Sequence, residues 1–192
     1  MTKKEEIVFA PYDRFVKYPL PIVPERLKPN HLTFIRLVFS PILIILLGGG
    51  EYILGLILFI ILALTDILDG SLARLRDQIT DWGKVWDPIA DKILIGIVVV
   101  VLLLQINFNL TVLLLSFELA FILGGAFQKM SKDNIDIQAN IWGKIKMNLQ
   151  AFGAGFLILG FFLNMLGMIF FAQILLYLSL GFALFSILKN GI

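Results

Sequence analysis

Tyr52-Ile53-Leu54-Gly55-Leu56-Ile57-Leu58-Phe59-Ile60-Ile61-Leu62-Ala63-Leu64 carries no charge, and the chain then runs through Thr65 into Asp66-Ile67-Leu68-Asp69-Gly70 without a residue that would end a helix. A helix needs about 20 apolar residues to cross a bilayer. This one starts as a lipid-facing span and finishes among carboxylates, which are costly at membrane depth and need a reason to be there.

The rest of the chain agrees with a lipid surround. Of its 192 residues 59% are hydrophobic and 16% charged, with a mean hydropathy of +0.92. Soluble domains carry about 25% charged residues, so the surplus of Leu, Ile and Phe must face something other than water. A net charge of +2 gives no basis for a nucleic-acid partner. The absence of cysteine excludes a disulfide framework and a thiolate metal site, and a single histidine excludes a histidine-rich zinc site. Carboxylates are the remaining metal ligands.

Six apolar windows can be marked off, predicting an all-α integral membrane protein with six transmembrane helices. The first covers residues 32–47 and ends at Gly48-Gly49-Gly50; the second starts at Tyr52; the third follows Trp82 and Trp86 and runs to about residue 104. The fourth covers about 110–127, the fifth starts near Ile141, and the sixth ends near Leu188, with breaks at 105–109 and 164–167. The basic residues fall in alternate connections. Seven stand before or at the start of the first span (Lys3, Lys4, Arg14, Lys17, Arg26, Lys28, Arg36), four in the second connection, four in the fourth, and Lys189 at the end. The positive-inside rule then places both termini and the second and fourth connections in the cytoplasm. Trp82, Trp86 and Trp142 fit an interfacial belt. Residues 1–28 are charged and rich in proline rather than a secretory signal. Their alternation of Ile7, Val8, Phe9, Tyr12, Phe15, Val16 and Tyr18 with Lys and Arg predicts an amphipathic segment on the inner leaflet, leaving 29–192 as the membrane domain.

Asp66, Asp69, Gly70 and Ala73 stand at i, i+3, i+4 and i+7 and share a helix face, with Arg74 four residues after Gly70. Gly83, Asp87 and Asp91 repeat that spacing on the next helix. Two antiparallel helices joined through 75–82 would turn Asp66, Asp69, Asp87 and Asp91 toward one another. Four close carboxylates in low dielectric either take up protons or gather cations, and an all-oxygen set suits Mg2+, Mn2+ or Ca2+. Gly70 and Gly83 leave room for a ligand against the backbone, or serve close helix packing. Asp77 and Asp81 fall outside both registers and read as solvated charges.

The run Asp66-x2-Asp69-Gly70-x2-Ala73-Arg74-x8-Gly83-x3-Asp87-x3-Asp91 resembles the full signature of the CDP-alcohol phosphotransferase (CDP-alcohol phosphatidyltransferase) family. Pro29-Asn30-His31-Leu32-Thr33 with Arg36 is similar to the segment that opens the first span in that family, so the resemblance covers about residues 29–188. It implies transfer of a phosphoalcohol group from a CDP-alcohol to an acceptor hydroxyl, releasing CMP. It further implies that Asp66, Asp69 and Asp87 are ligands to Mg2+ or Mn2+, with two ions expected. Asp91 would be the general base and share in the second metal site. Asp69, Gly70, Ala73, Arg74 and Gly83 would line the cytidine and diphosphate pocket. Asn30 and Thr33 either bond the nucleotide or cap the first helix. His31, at a variable position, reads as a surface residue. A homodimer is the family expectation, and the short chain without a targeting segment points to a prokaryotic inner membrane.

Thr80-Asp81-Trp82-Gly83-Lys84 and Asp87-Pro88-Ile89-Ala90-Asp91-Lys92, with Gly143-Lys144-Ile145-Lys146 and Gln150, are similar to the phosphatidylglycerophosphate synthase branch. That resemblance implies CDP-diacylglycerol as donor and glycerol 3-phosphate as the small polar acceptor, with Lys129, Lys132, Lys144 and Lys146 as candidate acceptor-binding cations. These lysines also suit the positive-inside rule alone. The chain departs from the branch where Phe117 precedes Glu118 and where Gly124-Gly125 stand, since arginines are expected at both places. A Lys does not reproduce an Arg fork, so myo-inositol phosphate, inositol and serine stay open as acceptors. A cation transporter is the alternative of a different class, but no polar path continues through the other spans.

Overall fold

The structure, a computed structural model, describes Pro24 and residues 27–130 and 141–190; the side chains at 81, 84, 124–130 and 187–190 lie outside that description. The described residues form seven helices and no strand: α1 (Pro29–Phe39), α2 (Ile42–Gly48), α3 (Tyr52–Leu75), α4 (Asp81–Leu103), α5 (Phe108–Met130), α6 (Ile141–Leu163) and α7 (Leu166–Asn190). The amphipathic reading of residues 1–28 falls almost entirely outside the described residues.

Helix ends follow local chemistry. α1 starts with Lys28 as its N-cap and Pro29 inside the first turn, where a missing N–H costs nothing. It gives way to α2 at Ser40 and Pro41. The Ser40 hydroxyl donates back to the Arg36 carbonyl at 2.6 Å, and Pro41 has no N–H to continue the ladder. The break expected at 105–109 is real: the Asn107 side chain caps α5 by accepting from the Leu110 N–H at 3.1 Å. Asn164, with φ 52°, turns the chain between α6 and α7.

Among the described residues, four stretches can cross a membrane by length and composition: Pro29–Gly48, Tyr52–Leu75, Ile141–Leu163 and Leu166–Ser186. α5 adds a shorter apolar stretch, Phe108–Leu123. α4 has 23 residues, about 35 Å at 1.5 Å per residue, but Asp87, Asp91 and Lys92 interrupt its apolar run. The all-α membrane class expected from sequence holds. The surface is apolar in the way lipid requires, with Ile45 75%, Leu166 82% and Phe170 66% exposed.

The chain divides into two compact units, 1–43 with 57–94 and 44–56 with 95–192. The first buries Leu32, Leu43, Phe59, Leu62, Leu72, Ala90 and Leu94 around a polar interior of Thr33, Arg36, Ser40, Asp69 and Ser71. The second is built on the α6–α7 hairpin. There a Cβ at Gly153 would stand 2.9 Å from Leu176 and one at Gly160 2.8 Å from Ile169, so two small residues set how closely the helices approach.

Candidate active site

All eight motif positions lie in the first unit, on the last three turns of α3 and the first three of α4. The i, i+3, i+4 spacing puts Asp66, Asp69 and Gly70 on one face of α3, and the i, i+4, i+8 spacing aligns Gly83, Asp87 and Asp91 on α4, as the sequence predicts. What brings the two rows together is α1.

Arg36, fully buried, extends its guanidinium into the carboxylates. Its Nη1 donates to Asp66 Oδ1 at 2.7 Å and to Asp91 Oδ1 at 3.2 Å, and its Nη2 donates to Asp69 Oδ2. One turn earlier on α1, Thr33 donates its hydroxyl proton to Asp87 Oδ1 at 2.6 Å, with Asp69 Oδ2 3.3 Å away. A hydroxyl has one proton to give, so the short contact to Asp87 is the donated bond. All four aspartates therefore meet donors from a single helix. Burial is graded across the set: Asp69 is 2% exposed, Asp91 17% and Asp66 37%, so Asp66 marks the open side.

By sequence alone Arg36 counts only among the topology-setting cations and at the opening of the first span. The signal was present. It is the one charged residue of α1, and such a residue in a span needs a partner of opposite charge. Among the described residues the guanidinium is not fully satisfied, because Nε is buried without a hydrogen-bond partner, at a cost of about 1–3 kcal/mol.

Gly83 sits where a side chain has no room. A Cβ there would lie 3.2 Å from Asp87 Oδ2, 3.2 Å from Thr80 Oγ and 3.5 Å from Asn30 Oδ1. Those groups form a short chain of bonds: the Gly83 N–H donates to Thr80 Oγ at 3.0 Å, and the Thr80 hydroxyl donates to Asn30 Oδ1 at 2.8 Å. Asn30 thus holds the start of α4 rather than capping α1, and Thr33 serves Asp87. The capping alternative for both is overturned, since Lys28 occupies the cap position and the Lys28 N–H donates to Nδ1 of the exposed His31 at 3.4 Å. At Gly70 the space is taken by Arg74, whose Nη1 would lie 3.3 Å from an added Cβ. Ala73 stands one turn along from the aspartates on the same helix. Asp77, in the turn with φ 52°, is exposed, as expected of a charge outside the register. Arg76 donates from Nη1 to the carbonyls of Leu27 at 3.1 Å and Pro24 at 3.3 Å, fastening the chain before α1 to the end of α3.

The donor set suits a hard divalent cation. Oxygens of Asp66, Asp69 and Asp91 already converge on one positive group, and the oxygen-only chemistry is that of Mg2+ or Mn2+ sites. Among the described residues no three such side chains are drawn together as an ion would hold them, because they surround the guanidinium.

Lys132 and the side chain of Lys129 lie outside the described residues, and Lys144 is exposed on α6. Lys146 is buried in the second unit, its Nζ donating to Glu118 Oε1 at 2.5 Å and standing 4.3 Å from the Phe121 ring centre; Gln150 Nε2 donates to the same Glu118 oxygen at 3.0 Å.

A family model described as CDP-alcohol phosphatidyltransferase matches residues 26–185. A Rickettsia typhi protein named CDP-diacylglycerol--glycerol-3-phosphate 3-phosphatidyltransferase is 34% identical over 135 residues, 69% of this chain and 76% of that protein. Proteins of the same name from Aquifex aeolicus and Bacillus subtilis are 33% identical over 120 residues and 30% over 151, covering 60% and 68% of this chain and 66% and 76% of theirs. With the match extending over most of the sequence, the chain belongs to the CDP-alcohol phosphatidyltransferase family and is a membrane phosphatidyltransferase.

Proposed function

We propose that the chain transfers the phosphatidyl group of CDP-diacylglycerol to a hydroxyl of glycerol 3-phosphate and releases CMP. The observation that carries this reading is the convergence of Asp66, Asp69, Asp87 and Asp91 on two donors of α1, in a chain whose relatives are named for that donor and acceptor. The acceptor oxygen attacks the phosphorus that carries the diacylglycerol. A new P–O bond forms, the P–O bond to CMP breaks, and the acceptor proton passes to the Asp91 carboxylate. Asp66, Asp69 and Asp87, with Asp91 shared, would hold two Mg2+ or Mn2+ ions, which when bound neutralise the diphosphate and the leaving oxygen. Arg74 supplies a planar fork suited to phosphate oxygens, and Gly70, Gly83 and Ala73 line the nucleotide pocket with little or no side chain, with Asn30 and Thr33 beside it.

The membrane setting completes the proposal. Six spans, cytoplasmic termini and a site on the cytoplasmic side of an inner membrane follow from the alternation of basic connections. The boundary at residue 28 and a homodimer are proposed with it, the dimer from family membership alone. Lys129, Lys132 and Lys144 are the cations available to an acceptor phosphate. A second reading, with myo-inositol phosphate, inositol or serine as acceptor, is favoured by Phe117 and Gly124-Gly125 at the places where arginines are expected. Family membership leaves a transporter without support.

The test is CMP release by the purified chain with CDP-diacylglycerol, Mg2+ or Mn2+, and each acceptor in turn. Glycerol 3-phosphate is expected to give the fastest release. Release with inositol or serine and none with glycerol 3-phosphate reassigns the acceptor, and undiminished release in a chelator removes the metal from the mechanism.

A further inference from the structure

Taking the divalent-metal reading above as given, we infer that Arg36 is a resident counter-cation, which an incoming metal ion must displace from Asp66 and Asp91, and that it thereby sets how tightly the site loads. Three observations carry this. First, one guanidinium meets three of the proposed ligands: a single nitrogen, Nη1, lies 2.7 Å from an Asp66 oxygen and 3.2 Å from an Asp91 oxygen, while Nη2 takes Asp69. Second, the arginine side chain is 0% exposed, so no solvent screens it from a second cation placed against the same oxygens. A divalent ion binds carboxylate oxygen at about 2.0–2.1 Å for Mg2+, which would leave it only a few ångströms from Nη1. Third, among the described residues Nε has no hydrogen-bond partner, so exchanging the two Nη1 bonds to Asp66 and Asp91 for an ion leaves the guanidinium held by Nη2 on Asp69.

The arrangement has a use. Four carboxylates brought onto facing helices would drive α3 and α4 apart in the absence of metal. Arg36 holds them together until the ions arrive, at the expense of weaker metal binding. It is a positioning residue, acting on the ligands and not on the substrate.

The test uses the full chain in detergent and Mn2+ alone, with binding followed by calorimetry or by the electron paramagnetic resonance of free Mn2+. Arg36→Met is expected to bind Mn2+ about tenfold more tightly or better, since each tenfold corresponds to the loss of one modest competing interaction. Arg36→Lys, which keeps the charge without the fork, is expected to fall between it and the wild type. Without metal Arg36→Met should melt lower, and Mn2+ should raise its melting temperature more than that of the wild type. Should Arg36→Met fail to fold, Arg36→Lys decides on the same criterion. Wild-type binding combined with equal or weaker binding in the folded variant overturns the inference and leaves the metal reading standing. A wild type that binds no Mn2+ at millimolar concentration removes the metal reading itself, and the inference with it.

Discussion

Thr33 on α1 and Asp87 on α4, 54 residues apart, share a 2.6 Å hydrogen bond that aims one proposed metal ligand from a neighbouring helix. Replacing Thr33 by Val keeps the shape and removes the donor. The variant is expected to lose about 1–2 kcal/mol of stability, read as a lower melting temperature in detergent, together with a fall in CMP release. Thr33→Ser should restore most of both. Equal activity in Thr33→Val and wild type would show that Asp87 keeps its place without α1.

Asp91 is the proposed base, and Asp91→Asn keeps its size while removing its capacity to take a proton. The variant is expected to fold, to retain CDP-diacylglycerol binding, and to lose CMP release by at least about a hundredfold. Full release would assign the proton transfer to another group.

Much of this site was legible in the sequence because helical periodicity is a one-dimensional property. Asp66, Asp69 and Gly70 share a face by their spacing alone, as do Gly83, Asp87 and Asp91, and a short connection turns one row toward the other. The breaks at 105–109 and 164–167 were legible for the same reason, being polar interruptions between apolar runs. Arg36 and Lys146 were not. Each was explained well enough by the positive-inside rule, and nothing local distinguishes a lysine that faces the cytoplasm from one buried against Glu118, which is 28 positions away. Pairings of that range depend on how helices pack, and a charge inside an apolar helix announces that a partner exists without naming it. The donation from Thr80 to Asn30 was hidden likewise, because capping was the nearer use for an asparagine behind a proline.

Gly83 tests whether the glycines of the motif are there for space. An added methyl would press on oxygens of Asp87 and Thr80 at 3.2 Å each. Gly83→Ala is expected to displace the Asp87 carboxylate, cutting CMP release by about tenfold or more while costing about 1–3 kcal/mol of stability. A Gly83→Ala enzyme with wild-type activity would mean that the carboxylate and the start of α4 yield without consequence.

Lys146 separates an acceptor-binding role from a structural one. Its ammonium is buried and paired with Glu118 at 2.5 Å. Removing one member of such a pair leaves the other charged and desolvated, a loss of about 3–5 kcal/mol in well-buried cases, and Glu118 at 23% exposure brings the expected cost toward the lower end. Lys146→Met and Glu118→Gln should therefore each lower the melting temperature, and the double variant should recover part of the loss. A structural pair predicts this non-additivity in stability with little change in the KM for glycerol 3-phosphate in whatever enzyme remains folded. An acceptor contact predicts the reverse: a large rise in KM for Lys146→Met at nearly unchanged stability, with no recovery in the double variant. The buried geometry favours the first outcome, because an ammonium already bound to a carboxylate and set against the Phe121 ring would have to leave both to reach a substrate phosphate.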